Sequence, residues 1–477
     1  TSLLLCASTQ AGEPVVIDWK KARQHWSFMP PKAQALPKVN GTAWPRGRVD
    51  HFILARLEAQ ALTTSREADA WTLIRRLTFD LTGLPPTPEE VRAFVNDTRP
   101  DAYARLVDDL MGRRAFGERM ASVWLNLARY AEDQAHQVGN NSSFSYPNAW
   151  RYRDWVIAAF NADLPYDRFI EKQLAVDLIE PQNKSDLAAL GFLGLGHKLY
   201  ARSRLDVQAE EWAEQVDTVS QTFLGLTVAC ARCHDHKFDP ITARDYYAMA
   251  GVFASVQMVN LRPDGKDEDG KTLADKMDPG TVHIVRDEKP HDLPIYDRGD
   301  VETPGKTVPR GWLQVLSRSE PVKFQQGSGR AELAHQITDP ANPLTARVVV
   351  NRVWDLLFGK PLARTTSNFG SMGDKPTHPE LLDDLAVRFM QNGWSLKRLV
   401  RELVLSATYR QSSSGSGSAA NAQLDEANDH LWRMNRRQLG IESWRDAIMA
   451  TAGTLTLEGV PSQNLDATTH HKRTIYS

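Results

Sequence analysis

Apolar residues recur at spacings of three and four through the first hundred positions of the chain, and that period predicts helices. Phe52, Ile53 and Leu57 fall on one face, and Leu73, Ile74, Leu77 and Leu81 on another. Gly83-Leu84-Pro85-Pro86 stops the second run. Thr87-Pro88-Glu89-Glu90 opens a third, with a capping Thr, a Pro at the first helical position and a Glu three residues after the Thr. The same reading covers residues 103–110, 118–133, 150–162 and 166–178. Residues 214–228 put Val216, Val219, Phe223 and Leu226 on one face, so this helix is expected to run directly into a cysteine cluster.

Between about 260 and 329 the period dissolves into Asp, Lys, Gly and Pro, which predicts a loop-rich insertion with a few short strands. Helical spacing returns at 343–358. Thr377 with Glu380 reads as a capping box before Leu381, Leu382, Leu385 and Phe389, and Ser395 caps a stripe of Leu396, Leu399, Val400, Leu403 and Val404. A last helix is expected over 441–452. Ser412 to Ala420 carries side chains too small to bury area and reads as a mobile linker. No fixed-period repeat is visible.

The expected fold is mainly α, multi-helical, with two packed helical units and a loop-rich insertion. Its divisions are 1–11, the remnant of a signal peptide; 12–44, an extended segment; 45–258, a helical domain with the cysteine cluster; 259–335, the insertion; and 336–477, a second helical domain expected to be truncated at its C-terminus. Thr9 and Ala11 supply the small residues of a cleavage site, which implies a periplasmic or secreted protein. A lipid-anchored Cys6 fits poorly, because the large Leu5 precedes it.

Charge adds mostly exclusions. Lys plus Arg number 57 against 59 Asp plus Glu, a net of −2 over 477 residues, so no long-range field favours nucleic acid or an anionic membrane surface. No apolar run reaches the ~18 to 20 residues of a membrane-spanning helix, and the mean hydropathy of −0.43 agrees. Gly-rich phosphate loops, Rossmann fingerprints and Gly-x-Ser-x-Gly elbows are missing from the sequence, which leaves nucleotide chemistry and serine hydrolysis unsupported.

Two of the three cysteines stand in Cys230-Ala231-Arg232-Cys233-His234. Covalent haem c needs two thiols spaced to reach both vinyl groups and a histidine beside the second to meet the iron. With this composition the pentapeptide arises by chance in roughly one of 2000 such chains. Cys230 and Cys233 are therefore the candidate thioether residues and His234 the candidate proximal ligand. Met249, Met258, Met277 and His197 are admissible distal ligands. His236 is expected beside a propionate or toward solvent, and Lys237 can offset propionate charge. Two alternatives stay open: a short disulfide or redox pair, and a zinc knuckle that adds His236 and Asp239 to the cysteines.

The wording of the chain around this motif resembles a known family. Residues Thr222 to Ala229, then Cys230-Ala-Arg-Cys-His-Asp-His-Lys-Phe-Asp-Pro240 and Asp245-Tyr246-Tyr247, are similar to planctomycete-type secreted cytochrome c-like proteins. So are Leu77 to Pro86, Trp124 to Tyr130 and Trp150 to Val156, which place most of 45–257 in that family's first domain. Pro343 to Arg347, Asn351 to Trp354, Asn368-Phe369-Gly370, His378 to Leu382 and Leu405 to Arg410 resemble its second. The resemblance implies export and a cytochrome-like site with a redox partner protein, or a secreted sulfatase-like partner. It names no substrate, because both domains are defined as domains of unknown function. Members continue beyond Ser477 and many carry a further haem-motif domain, so the chain reads as a fragment at both ends.

The rival reading is an exported enzyme or binding protein acting on polysaccharide, with the Cys/His cluster as a metal or disulfide site. Arg129, Glu132, Asp133 and His136 gather acid–base groups, although Arg129 and Asp133 at i and i+4 are expected simply to pair on one helix face. Trp124, Trp150 and Trp155 can line a sugar cleft but are expected in packing. His378-Pro379-Glu380 is expected to serve as a helix cap.

Overall fold

The computed structural model describes residues 17–132, 146–197, 203–268, 277–414, 419–459, 461 and 471–476. It is mainly α, as the spacing predicts. After a short turn α1 (Trp19–Ala22), the first half builds α2 (Arg48–Ala59), α3 (Ala70–Thr82), α4 (Pro88–Val95), α5 (Ala102–Gly112), α6 (Arg114–Leu127), α7 (Trp150–Asn161) and α8 (Tyr166–Ile179). Local chemistry sets these limits. Asp69 accepts from Thr72 N at 2.7 Å to start α3, and Gly83 ends it at φ 72°. Thr87 and Glu90 form the expected reciprocal cap of α4, at 3.2 and 2.7 Å.

A single turn, α9 (Gly191–Gly194), precedes α10 (Leu205–Val219) and α11 (Ala243–Ala254). The insertion then forms two small antiparallel pairs: β1 (Val256–Leu261) with β2 (Val282–Asp287), and β3 (Pro294–Tyr296) with β4 (Pro304–Thr307). The second half adds α12 (Arg330–Thr338), α13 (Thr345–Phe358), α14 (Pro379–Gln391), α15 (Leu396–Leu405), the turns α16 (Ala407–Arg410) and α17 (Ala419–Leu424), and α18 (Ile441–Thr451).

One apolar cluster runs through both halves. Trp124 lies near its centre, 4% exposed, with Phe169, Phe192 and Phe223 at centroid distances of 4.9, 6.1 and 5.9 Å. Its indole N–H donates within a buried trio with Tyr152 and Gln173. Trp155 stacks on Phe169 and donates to Asp186. Both tryptophans are packing residues, as expected.

Buried polar groups join the halves. Asp50, fully buried, accepts from Arg46 N and Gly47 N ahead of its own helix and from Ala407 N, Thr408 N and Thr408 Oγ1 of α16, at 2.7–3.0 Å. Asp80 accepts from the Tyr409 hydroxyl at 2.6 Å and pairs with Arg437. Near the last residues, Arg473 reaches Glu118 at 2.5 Å and Asp446 at 3.1 Å, while the Tyr476 hydroxyl donates to Glu118.

Three sequence expectations are corrected. Pro379 takes the first helical position of α14, so His378 is the N-cap residue and Thr377 falls one place too early for a capping box. The expected linker is anchored at its start: Ser412 N donates to Arg66 O, and Met434 N to Ser412 O. Its end begins α17, and 415–418 lie outside the described residues. Finally, α6 stops at Leu127 rather than near 133. Arg129 takes φ 53° and pairs with Glu214 and Asp217 of α10 at 2.8 and 2.6 Å, while its expected partner Asp133 lies outside the described residues.

Removing Arg473 takes from buried Glu118 and Asp446 their buried counter-ion and leaves them only the more exposed Arg114 and Arg445. Arg473→Ala is expected to cost about 3–5 kcal/mol in urea unfolding. Arg401→Ala, whose partner Asp108 is half exposed, should barely move the midpoint.

Candidate functional site

The cysteine motif is presented by a change of helix type. Below Val219 the chain widens into a π turn, Ser220–Leu224, and stops at Gly225 with φ 59°, short of the helix expected to continue to 228. Glycine is required there twice over. The left-handed conformation disfavours a side chain, and a Cβ would stand 3.0 Å from the Phe369 ring and 3.1 Å from Val348. Phe369 N closes the contact by donating to Gly225 O at 2.7 Å.

Residues Val228–Arg232 then form a 3-10 helix. Three residues per turn eclipse positions i and i+3. Val228 and Ala231 are accordingly buried on the inner side, while Cys230 and Cys233 are both exposed, free thiols. The turn is tied down by the Tyr247 hydroxyl, which donates to Arg232 O at 2.9 Å, and by an Arg232–Glu210 ion pair. Burial pushes the Tyr247 hydroxyl up to about 12, so it remains a protonated donor. Gly299, at φ 76° in the turn between β3 and β4, lies so close that a Cβ would sit 3.1 Å from Cys233 Sγ.

The two histidines that follow have opposite roles. His234 is exposed, and its Nδ1 lies 2.7 Å from the Asp235 carbonyl. A carbonyl only accepts, so Nδ1 carries a proton, and in the neutral ring Nε2 keeps its lone pair. That arrangement, one ring N–H anchored on a carbonyl and the other nitrogen bare, is what a metal-bound imidazole uses. His236 is built inward instead. Its Nδ1 accepts from Asp239 N at 2.8 Å and Phe238 N at 3.2 Å, and Nε2 lies 3.1 Å from Thr227 Oγ1. It closes the loop from 236 to 241, where His236 N also donates to Ile241 O. Solvent or a propionate is therefore not its setting, because both ring nitrogens are used by the protein.

Lys237 remains outside, its Nζ 5.2 Å over the ring of Phe238, which is itself 51% exposed. Asp239 points into the molecule. One oxygen accepts from Ser371 N at 2.5 Å and the other is buried without a hydrogen bond. A Cβ on Gly370 would overlap this carboxylate. The zinc alternative thus loses two of its four donors to internal duties, and no group of three or more His, Cys, Asp or Glu side chains among the described residues converges to hold a metal.

Of the distal candidates, Met249 is 1% and Met258 8% exposed within the core. Either would have to unpack to reach an iron on exposed His234. Met277 is half-buried and His197 exposed, each beside undescribed residues. Of the acid–base group around Arg129, Glu132 accepts from the Tyr130 hydroxyl and Arg129 faces α10, while Asp133 and His136 lie outside the described residues. The sequence reading missed Gly299 and Tyr247, whose roles arise only from tertiary contact. It also missed the Thr242–Asp245 capping box of α11, which its own spacing signals.

Fold and site together define a mainly helical, two-part protein with a solvent-facing Cys-x-x-Cys-His turn at the seam between its parts. Residues 48–258 match the family model PSCyt2, described as a protein of unknown function (DUF1549), and residues 329–476 match PSD1, a protein of unknown function (DUF1553), so the chain carries these two domains in succession. No curated protein and no solved structure matches it. No helix among the described residues is long and apolar enough to cross a membrane.

His378 gives a pH test of this seam. Burial above all, then His430 and Arg56, hold its imidazole down to about 3 against an ordinary 6.5, and its Nε2 has no partner. Between those values the unfolded chain binds the extra proton, so the contribution is complete above about 6.5 and is lost as the pH falls toward 3. Urea midpoints measured from about pH 7 to pH 4 should fall, and His378→Leu should flatten part of that slope.

Proposed function

We propose that the protein is an exported haem c-binding protein that passes electrons to a partner protein. Cys230 and Cys233 would hold the porphyrin by thioethers, each S–H adding across a vinyl group with sulfur to one carbon and hydrogen to the other, without net oxidation. His234 Nε2 would be the proximal ligand. The observation that carries this reading is the pairing of two free thiols on one face with an adjacent imidazole whose Nδ1 is already anchored on Asp235 O.

The chain's own part is to position and shield. The 3-10 turn sets the thiol spacing, the Asp235 carbonyl fixes the ring and its tautomer, and the exposed Phe238 ring offers an apolar surface beside the motif. Bound haem supplies a one-electron Fe(III)/Fe(II) couple. Because the cysteines and His234 are exposed, a haem edge here would be open to a docking partner. Export rests on the signal-like character of residues 1–11, which lie outside the described residues. The proposal leaves Met249 and Met258 in the core.

Expression with haem-attachment machinery, followed by haem staining of a denaturing gel and a pyridine-haemochrome spectrum, tests it. One covalent haem per chain is expected. Cys233→Ala should weaken attachment, and His234→Ala should alter the Soret band while the thioethers persist. A chain that emerges without covalent haem overturns the reading.

A further inference from the structure

A second place in the molecule concentrates charge in a way the haem reading does not use. A cavity of ≈ 440 Å³ lies between α3, α6 and the segment leading into α18, and five arginines line it: Arg75, Arg76, Arg119, Arg436 and Arg437. Asp80 is the lone carboxylate in that lining. It is already committed to the Tyr409 hydroxyl and Arg437. In a chain of net charge −2 this is a local excess, not a general basic character.

The arginines are also poorly compensated. Arg76 donates to the carbonyls of Tyr409 and Gln411, neutral acceptors that leave its charge unbalanced. Arg75 lies over the Phe79 ring at 4.6 Å. Arg75, Arg119 and Arg436 have no ion pair among the described residues, whereas Arg330 meets two aspartates and Arg473 meets Glu118 and Asp446. Arg119 is the most exacting case. Its Nε is buried with no hydrogen-bond partner, and desolvation by burial, the largest influence on it, lowers its pKa despite nearby Asp80 and Glu442. Leaving guanidinium donors desolvated and unpaired costs stability that an anion would recover.

We propose that this pocket binds a small ligand bearing a tetrahedral oxyanion, a phosphate or sulfate monoester, with Arg119 at its inner end and Arg75 and Arg436 at its mouth. Guanidinium groups arriving from three separate elements suit an anion that accepts in several directions, and each fork can take two oxygens. Phe79 and Met434 supply an apolar wall for the organic body, and the volume suits a ligand of about monosaccharide size. The site depends on both halves of the chain, since Arg75, Arg76 and Arg119 come from the first matched domain and Arg436 and Arg437 from the second.

Calorimetric titration of the full chain at low salt with glucose 6-phosphate, glucose 6-sulfate and glucose tests this. At least one ester should bind while glucose does not, and the tighter ester identifies the source of the oxyanion. Arg119→Ala should weaken binding about tenfold or more. Arg436→Ala, at an exposed residue with no ion pair among the described residues, should weaken it several-fold and keeps the test valid if Arg119→Ala fails to fold. Arg401→Ala, outside the pocket, should bind as the parent does. Absence of ester binding, equal binding of glucose, or parental affinity in Arg436→Ala together with a folded Arg119→Ala overturns the proposal.

Discussion

The structure depends on carboxylates of the first half that are buried and then satisfied by the second. Asp50 is the clearest case. Its two oxygens accept five hydrogen bonds, two from the residues before α2 and three from the start of α16, more than three hundred residues away. A buried carboxylate is tolerable only with such partners. Neither half can therefore close its own polar accounts, and the matched domains 48–258 and 329–476 form one packed body around one apolar cluster.

The Cys-x-x-Cys-His turn inherits its rigidity from the same device. Asp239 holds Ser371 N across the seam, and His236 uses Asp239 N to close the loop. Gly225 and Gly370 let the second half approach within contact distance. The result is asymmetric: everything on the inner side of residues 225–241 is fixed by hydrogen bonds or packing, and everything that haem chemistry would use faces out. A rigid inner frame with an open outer face suits a site whose partner must come close.

Much of this was legible in the sequence because it is local. Apolar period located α2, α3, α7, α8, α13 and α15 to within a few residues, and the Thr87–Glu90 and Ser395 caps are where side-chain chemistry puts them. The errors share a cause. Thr377 missed its register because Pro379 dictated the first helical position. Arg129 lies beyond the end of α6, where two carboxylates on α10 take its guanidinium. Ser412 was drawn out of a linker by backbone pairing with Arg66. His236 looked like a solvated neighbour of the motif, and only the fold of its own loop shows both nitrogens engaged. In each case a contact across the chain outweighed a local preference.

The same logic separates the two places where the protein has unused chemistry. At the seam near Asp50 and Asp80, carboxylates of the first half meet donors of the second. At the Cys230 turn the unused groups are two thiols and an imidazole nitrogen, which invite covalent and coordinate bonds. In the arginine-lined cavity the unused groups are charged and partly desolvated, which invites an anion. Arg119 could have been neutralised as Arg473 is, by a carboxylate on α6 or α18, and the fold instead leaves Asp80 to serve Tyr409 and Arg437. A stability argument alone would have filled that gap, so the uncompensated charge is the feature that calls for a ligand.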